Sequence, residues 1–139
     1  MVAVSKAIPI AAVEALYHLG HRHFGENRVE DGHQKIIAAR EAFESAEDPI
    51  AWHMIGHIQR RKAQNVSIGF DYIHSLDSIR LAKRLSRFAE EQGKNIPLLL
   101  ECNVSGEKSK HGFPATDCTL NTQQWESLIE AVTQITELP

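Results

Sequence analysis

Lys6 occupies the position in this sequence that most favours covalent chemistry. It ends a short apolar run, VAVSK from residue 2, whose small and β-branched residues are typical of a buried strand. Because side chains alternate along a strand, Lys6 shares a face with Val2 and Val4. An amine among apolar neighbours loses hydration, which favours its neutral form and so a Schiff base with an aldehyde. The competing interpretation is a lysine that reaches past apolar surface into solvent.

Polar side chains also end the other predicted strands. In βα barrels the working residues lie at the carboxyl ends of several strands, where they face a common pocket. We therefore predict that a set of strand-end residues lines one pocket with Lys6: Asn27, His57, His74, Ser75 and Asn103.

The eight histidines raise the alternative of a metal site. His53 and His57 are four residues apart, which on a strand separates them by about 13 Å, too far to share one ion. His21 and His23 share a strand face, but no cysteine or carboxylate cluster completes a ligand set beside them. We predict no metal.

These residues belong to a pattern in which a short strand and a helix alternate about five times. The predicted strands are residues 2–6, 22–27, 51–57, 70–75 and 96–105. The first helix opens at Pro9 and stops at Gly20, and the second runs through Phe43 to Asp48-Pro49. Helices are also predicted around residues 58–66, after an N-cap at Asp77 or Ser78, and from about Thr122, with residues 106–117 as a loop.

Alternating βα units predict a parallel sheet, either doubly wound or closed into a barrel. Polar residues end every predicted strand, and the first turn, KAIP, lacks the glycines of a doubly wound nucleotide-binding fold. We therefore predict an α/β fold, a partial (βα)8 TIM-type barrel of about five βα units in a single incomplete domain, residues 1–139. The first and fifth strands would then be unpaired edges that promote association. Val2, Val4, Leu98 and Leu100, or Leu99 in the other register, would face the open side.

Composition excludes several classes of function. A net charge of −3 and a pI near 6.2 provide no basic field for nucleic acid or anionic membrane, and QRRK at residues 59–62 is typical of a solvated helix face. No apolar run is long enough to span a membrane, and no signal peptide is recognised. Cys102 is predicted to be a buried thiol, and with Cys118 it forms no redox or zinc motif. A reduced, cytoplasmic protein without disulfides is expected.

Five ordered segments resemble the pyridoxal phosphate homeostasis protein family: VAVSK, HFGEN, WHMIGHIQ, FDYIHSLDS and ECNVSGEKSKHGF. The resemblance implies a fold like the barrel of alanine racemase, with pyridoxal 5′-phosphate (PLP) bound as an internal aldimine on Lys6. It also implies a protein that holds and buffers PLP and catalyses no known reaction, with PLP and PLP-dependent enzymes as its partners.

The chain departs from the family pattern in three respects. Ala7 and Ile8 follow the lysine where a threonine is common, and Arg61 stands where asparagine is more usual. Nothing corresponds to the late strands that supply the family's phosphate site, so we expect a weaker hold on PLP. A Schiff-base aldolase, a PLP-dependent racemase and a truncated remnant without ligand stay open as alternatives. A racemase, however, would need a second acid or base from an additional domain.

Overall fold

A computed structural model of the chain describes residues 1–43, 47–117 and 122–139. Its strands are β1 (Ala3–Val4), β2 (His23–Glu26), β3 (Ala51–Met54), β4 (Tyr72–Leu76), β5 (Leu98–Leu100), β6 (Cys102–Asn103) and β7 (Phe113–Pro114). Its helices are α1 (Ile10–His18), α2 (Val29–Ala42), α3 (Ala63–Gly69), α4 (Ile79–Glu91) and α5 (Gln123–Thr136), with a short 3₁₀ turn at Arg60–Lys62 before α3.

The first five strands form one parallel sheet in the order β1-β2-β3-β4-β5. Each strand pairs with its successor in sequence, and a helical connection separates the two, as the alternating pattern predicts. This order is that of consecutive strands in a βα barrel, whereas a doubly wound sheet reverses its order at a switch point. The predicted α/β fold with about five βα units is confirmed.

The sheet has one covered face and one open face. Alternate strand residues such as Phe24, Trp52, Met54 and Ile73 are almost fully buried and form the core with the helices. The opposite face carries exposed apolar side chains, since Val4 is 53% exposed and Leu99 is 58% exposed. Among the described residues no strand pairs with the outer edges of β1 and β5.

The structure settles the register of the fifth strand. Leu98 and Leu100 pack against the core, so Leu99 is the leucine that faces the open side. The pairing of β4 with β5 shifts register between Ile73 and Leu76, which marks a local irregularity in the ladder.

The predicted strand over residues 96–105 is too long. The sheet strand ends at Leu100, after which Glu101 donates its N–H to the carbonyl of Leu76 at 2.8 Å. β6 then pairs with β7, which lies within the predicted loop, and forms a separate two-stranded sheet. Cys102 is exposed, so the prediction of a buried thiol is wrong, because the chain has left the main sheet at that point. Cys118 lies outside the described residues.

Hydrogen bonds from side chains fix the starts of two helices. Ser78, rather than Asp77, caps α4 by accepting a hydrogen bond from the N–H of Leu81, and Thr122 caps α5 by accepting one from Trp125. Helix α2 ends at Ala42, before the predicted stop at Asp48-Pro49, and residues 44–46 lie outside the described part. None of the helices in the described ranges is both long and apolar enough to cross a membrane.

Candidate functional site

Lys6 lies just beyond the carboxyl end of β1, on the open side of the sheet. Ser5, its neighbour, is fully buried on the covered side, while Lys6 and Val4 are exposed, as strand alternation requires. The expected apolar enclosure of Lys6 is therefore absent within the described chain. The amine of Lys6 forms no hydrogen bond or ion pair with any other described residue. It is an accessible primary amine.

The turn after Lys6 has an unusual backbone conformation. Ala7 has φ of 60°, in the left-handed region that residues with a Cβ rarely adopt. The N–H of Ile8 donates to the carbonyl of Ser5 at 3.3 Å, so residues 5–8 form a tight turn with the left-handed residue in its third position. The turn over residues 5–8 thus sets the direction in which the chain, and with it Lys6, leaves the strand.

His57 belongs to a polar cluster at the same end of the sheet. Its Nδ1 lies 3.1 Å from Oδ2 of Asp77, and its ring stacks on that of His111 with 3.7 Å between centroids and 12° between planes. Ligand atoms of these three residues lie within 4.8 Å of one another. Imidazole lone pairs lie in the ring plane, however, so two parallel stacked rings cannot both point at one ion. The described geometry is a stacked pair of imidazoles with a carboxylate beside one of them.

His74 belongs to a row of three imidazoles on the open face of the sheet. His53 Nδ1 lies 2.8 Å from His74 Nε2, and His53 Nε2 lies 3.0 Å from His23 Nδ1. The His53 ring also stacks on Tyr72, with centroids 4.5 Å apart. Burial first, and then repulsion from His74 and His23, lowers the pKa of His53 to about 4. The central imidazole is therefore neutral at pH 7.

Ser75 and Asn27 connect neighbouring strand ends. The buried hydroxyl of Ser75 donates to the carbonyl of Gly56 at 2.6 Å. The backbone of Asn27 approaches Gly56 so closely that a Cβ on that glycine would lie 2.1 Å from the Asn27 carbonyl oxygen. The ends of β2, β3 and β4 are therefore held together where Asn27, His57 and Ser75 lie.

Asn103 organises the loop that follows β6. Its Oδ1 accepts from the N–H of Gly106 at 2.9 Å, and its Nδ2 donates to the carbonyl of Glu107 at 3.0 Å. In the same loop the ammonium of Lys110 pairs with the Glu107 carboxylate at 2.5 Å. The side chain of Asn103 is thus engaged by its own loop, and the positive charge of Lys110 is already neutralised.

Several residues of this region were not predicted from the sequence. Asp77 and His111 are brought to His57 by tertiary contacts that join distant segments. Glu101 follows β5 directly, and its Oε2 is the buried side-chain atom that lacks a hydrogen-bond partner within the described ranges. It borders an open hollow of about 350 Å³ together with Asn103 and His111. The acidic residue at the end of an apolar strand was the signal available for Glu101.

The chain is similar in sequence to proteins named pyridoxal phosphate homeostasis protein. The relative from Synechocystis is 38% identical over 128 residues, which is 92% of this chain and 56% of the relative. The chain spans about half the length of the curated relatives it matches. No family model matches the chain.

The chain is also similar to solved structures. PipY of Synechococcus elongatus, solved with PLP bound, superposes with a TM-score of 0.74 at 35% identity and covers all of this chain, which spans 57% of PipY. Alanine racemase of Clostridium difficile superposes with a TM-score of 0.64 at 10% identity. The match covers 99% of this chain and 31% of the racemase, and at this identity it shows a shared fold alone. The resemblance to the pyridoxal phosphate homeostasis family and to the alanine racemase barrel, drawn from the sequence motifs, is confirmed.

Proposed function

We propose that this chain, which is similar to about half of a pyridoxal phosphate homeostasis protein, binds PLP covalently through Lys6. The observation that carries the proposal is the accessible, unpaired amine of Lys6 at the carboxyl end of β1, in a chain that superposes on a PLP-bound relative. The family name of the relatives supports a role in keeping PLP available to the cell.

The residues present suit the aldehyde end of PLP. When bound, PLP supplies an electrophilic aldehyde and a phosphate dianion. Lys6 would hold the cofactor through its amine, which is the group that condenses with an aldehyde to a Schiff base with loss of water. Asn27, His57, His74, Ser75 and Asn103 are proposed to line the pocket. Of these, His57 presents an exposed imidazole that Asp77 orients.

The phosphate end of PLP has fewer binding groups in the described residues. Phosphate sites of βα barrels are commonly built from the loops after strands seven and eight, and the described sheet has five strands. Each missing charge-assisted hydrogen bond to the dianion forfeits about 1.5–3 kcal/mol. We therefore propose that the chain alone holds PLP more weakly than its longer relatives.

We further propose that the chain carries and releases PLP without catalysing a reaction. The support for this is the name of the relatives, pyridoxal phosphate homeostasis protein, which describes a role with the cofactor and names no reaction. The expected partners are PLP and PLP-dependent enzymes that exchange the cofactor. A cytoplasmic location and a single, incomplete barrel domain over residues 1–139 belong to the same proposal.

A spectroscopic titration tests the proposal. PLP is added to the wild-type chain and to Lys6→Met, and the absorbance of the carbon–nitrogen double bond is followed. Lys83→Met serves as a matched control, since Lys83 is also an exposed lysine and lies on α4. We expect saturable binding in the wild type and the control and its loss in Lys6→Met. An equal titration of all three proteins would contradict the role of Lys6.

Pyridoxal, which lacks the phosphate, tests the claim about the incomplete site. We expect it to bind the wild type nearly as well as PLP. A dissociation constant for PLP that is lower by a factor of a hundred or more, which corresponds to about 2.7 kcal/mol, would show that a phosphate site exists.

A further inference from the structure

A buried ion pair lies directly behind Lys6, on the covered side of the sheet. Nζ of Lys35, on α2, lies 2.7 Å from Oε1 of Glu26, the last residue of β2. Their side chains are 14% and 1% exposed. Charges buried this deeply are rare in protein cores unless they are paired, and pairing alone adds little net stability compared with apolar packing. The presence of the ion pair is therefore better explained by a role other than stabilising the fold.

Both members of the pair converge on Ser5, the residue before Lys6. The hydroxyl of Ser5 donates to Glu26 Oε1 at 2.6 Å, and the ammonium of Lys35 donates to the carbonyl of Ser5 at 2.5 Å. The N–H of Ser5 donates to the carbonyl of Gly25 at 2.9 Å. Every polar group of Ser5 is therefore engaged, two of the three by the ion pair.

The carbonyl of Ser5 also closes the turn that carries Lys6. It accepts the N–H of Ile8 across Lys6 and Ala7, and Ala7 has the unfavourable left-handed conformation. A strained residue persists where its surroundings impose it, and such residues cluster at functional sites. The contact from Lys35 fixes the peptide group that joins Ser5 to Lys6, at the point where the chain leaves the sheet.

We propose that Lys35 and Glu26 are positioning residues for Lys6: they clamp Ser5 and thereby hold the turn so that the Lys6 amine points over the open face. This inference rests on the proposed attachment of PLP to Lys6. Lys35 and Glu26 lie on the covered side of the sheet and act through Ser5, without touching the cofactor.

The test compares three proteins with the wild type. Lys35→Met removes the charge and the donor at similar length, and Lys35→Arg retains both. The matched control is Lys62→Met, because the ammonium of Lys62 also pairs with a carboxylate of α2, that of Glu30 at 2.6 Å, whereas the ammonium of Lys35 reaches Ser5. Each protein is incubated with PLP, and the rate at which borohydride traps the cofactor on Lys6 is measured by mass spectrometry, together with the circular dichroism induced in the bound chromophore.

We expect Lys35→Met to slow trapping at Lys6 by about tenfold, because small misplacements of a reacting group have effects of this size or larger. The induced dichroism should weaken at the same time, since it reports the orientation of the cofactor. Lys35→Arg should restore most of both signals, and Lys62→Met should match the wild type. Unchanged trapping and dichroism in Lys35→Met would overturn the proposal.

Two further measurements keep the inference separate from protein stability and from the proposed function. If Lys35→Met does not fold, Ser5→Ala removes only the hydroxyl contact, and it should lower the same two signals; unchanged signals would overturn the proposal. Amide hydrogen exchange of Ile8 needs no cofactor and should accelerate in Lys35→Met relative to Lys62→Met. A wild type that is never trapped at Lys6 would refute the proposed function, whereas unaltered exchange at Ile8 would refute the positioning role by itself.

Discussion

Acidification is expected to weaken the fold through His53. This side chain is 5% exposed, and it lies between His23 and His74 on the open face of the sheet. Its pKa falls from the ordinary 6.5 to about 4, because burial penalises the imidazolium and the neighbouring histidines repel it. Below pH 6.5 the unfolded chain therefore binds a proton at His53 that the folded chain does not bind.

The sign and size of the effect follow from proton linkage. The contribution of neutral His53 is fully present above pH 6.5, is lost as the pH falls towards about 4 and changes no further below that value. The slope is at most about 1.4 kcal/mol per pH unit, so the whole loss is at most about 3 kcal/mol of unfolding free energy. That is a large part of the 5–15 kcal/mol that typically stabilises a domain.

Urea unfolding between pH 8 and pH 4 measures this loss. His53→Gln keeps a donor and an acceptor but cannot titrate, so the difference between the wild-type and variant curves should fall by about 2–3 kcal/mol across the interval. His18→Gln is the control, because His18 lies exposed on α1, and its curve should follow the shape of the wild-type curve. A difference between wild type and His53→Gln that stays constant with pH would refute the reasoning.

Three substitutions and one control test other parts of the structure by the same urea measurement. Gly56→Ala should lower the free energy of unfolding by at least about 2 kcal/mol, because its Cβ would overlap the Asn27 carbonyl. Gly20→Ala is the control: its Cβ meets open space, so only the strain of its φ of 90° should lower the stability. Equal effects of the two substitutions would contradict this. Ala7→Gly should raise the free energy of unfolding by about 1 kcal/mol, because glycine adopts the left-handed conformation without strain, and a lower stability would contradict this. Ser78→Ala should remove about 1 kcal/mol with the cap of α4, and an unchanged midpoint would argue against the cap.

Association of the chain is a further expectation. The edges of β1 and β5 are unpaired within the described chain, and Val4 and Leu99 expose apolar surface beside them. Such edges and patches promote pairing between molecules. Light scattering should show a mass that rises with concentration, whereas a monodisperse monomer with a sharp unfolding transition would contradict the expectation.

The sheet and its helices were predictable because their signals are local. β-Branched and aromatic runs between turn residues predicted β1 to β4, and the pattern of Leu81, Leu85 and Phe88 predicted α4, whose inward face is buried. The end of β5 was placed too late, because the prediction included CNVS as a continuation of the strand although the apolar run IPLLL stops at Glu101. The pairing of Phe113 with Cys102 depends on a long connection that no local pattern encodes.

The candidate site was predictable in outline. Strand parity predicted that Lys6 faces the open side of the sheet, and the resemblance of the motifs makes it the proposed attachment residue, but its surroundings depend on tertiary contacts. Lys35 has the sequence context of an ordinary helix-surface lysine, yet it is largely covered and pairs with the buried Glu26, because α2 crosses behind the end of β1. Likewise, the contact of His57 with His111 requires the loop after β6 to fold back over the strand ends.

Peptide mapping tests the central claim most directly. The chain is incubated with PLP, reduced with borohydride, digested and analysed by mass spectrometry for the pyridoxyl group that reduction fixes on the attachment lysine. We predict that the group lies on the peptide containing Lys6 and is lost in Lys6→Ala. Label on Lys62, Lys108 or Lys110 instead, or labelling that is unchanged in Lys6→Ala, would contradict the account.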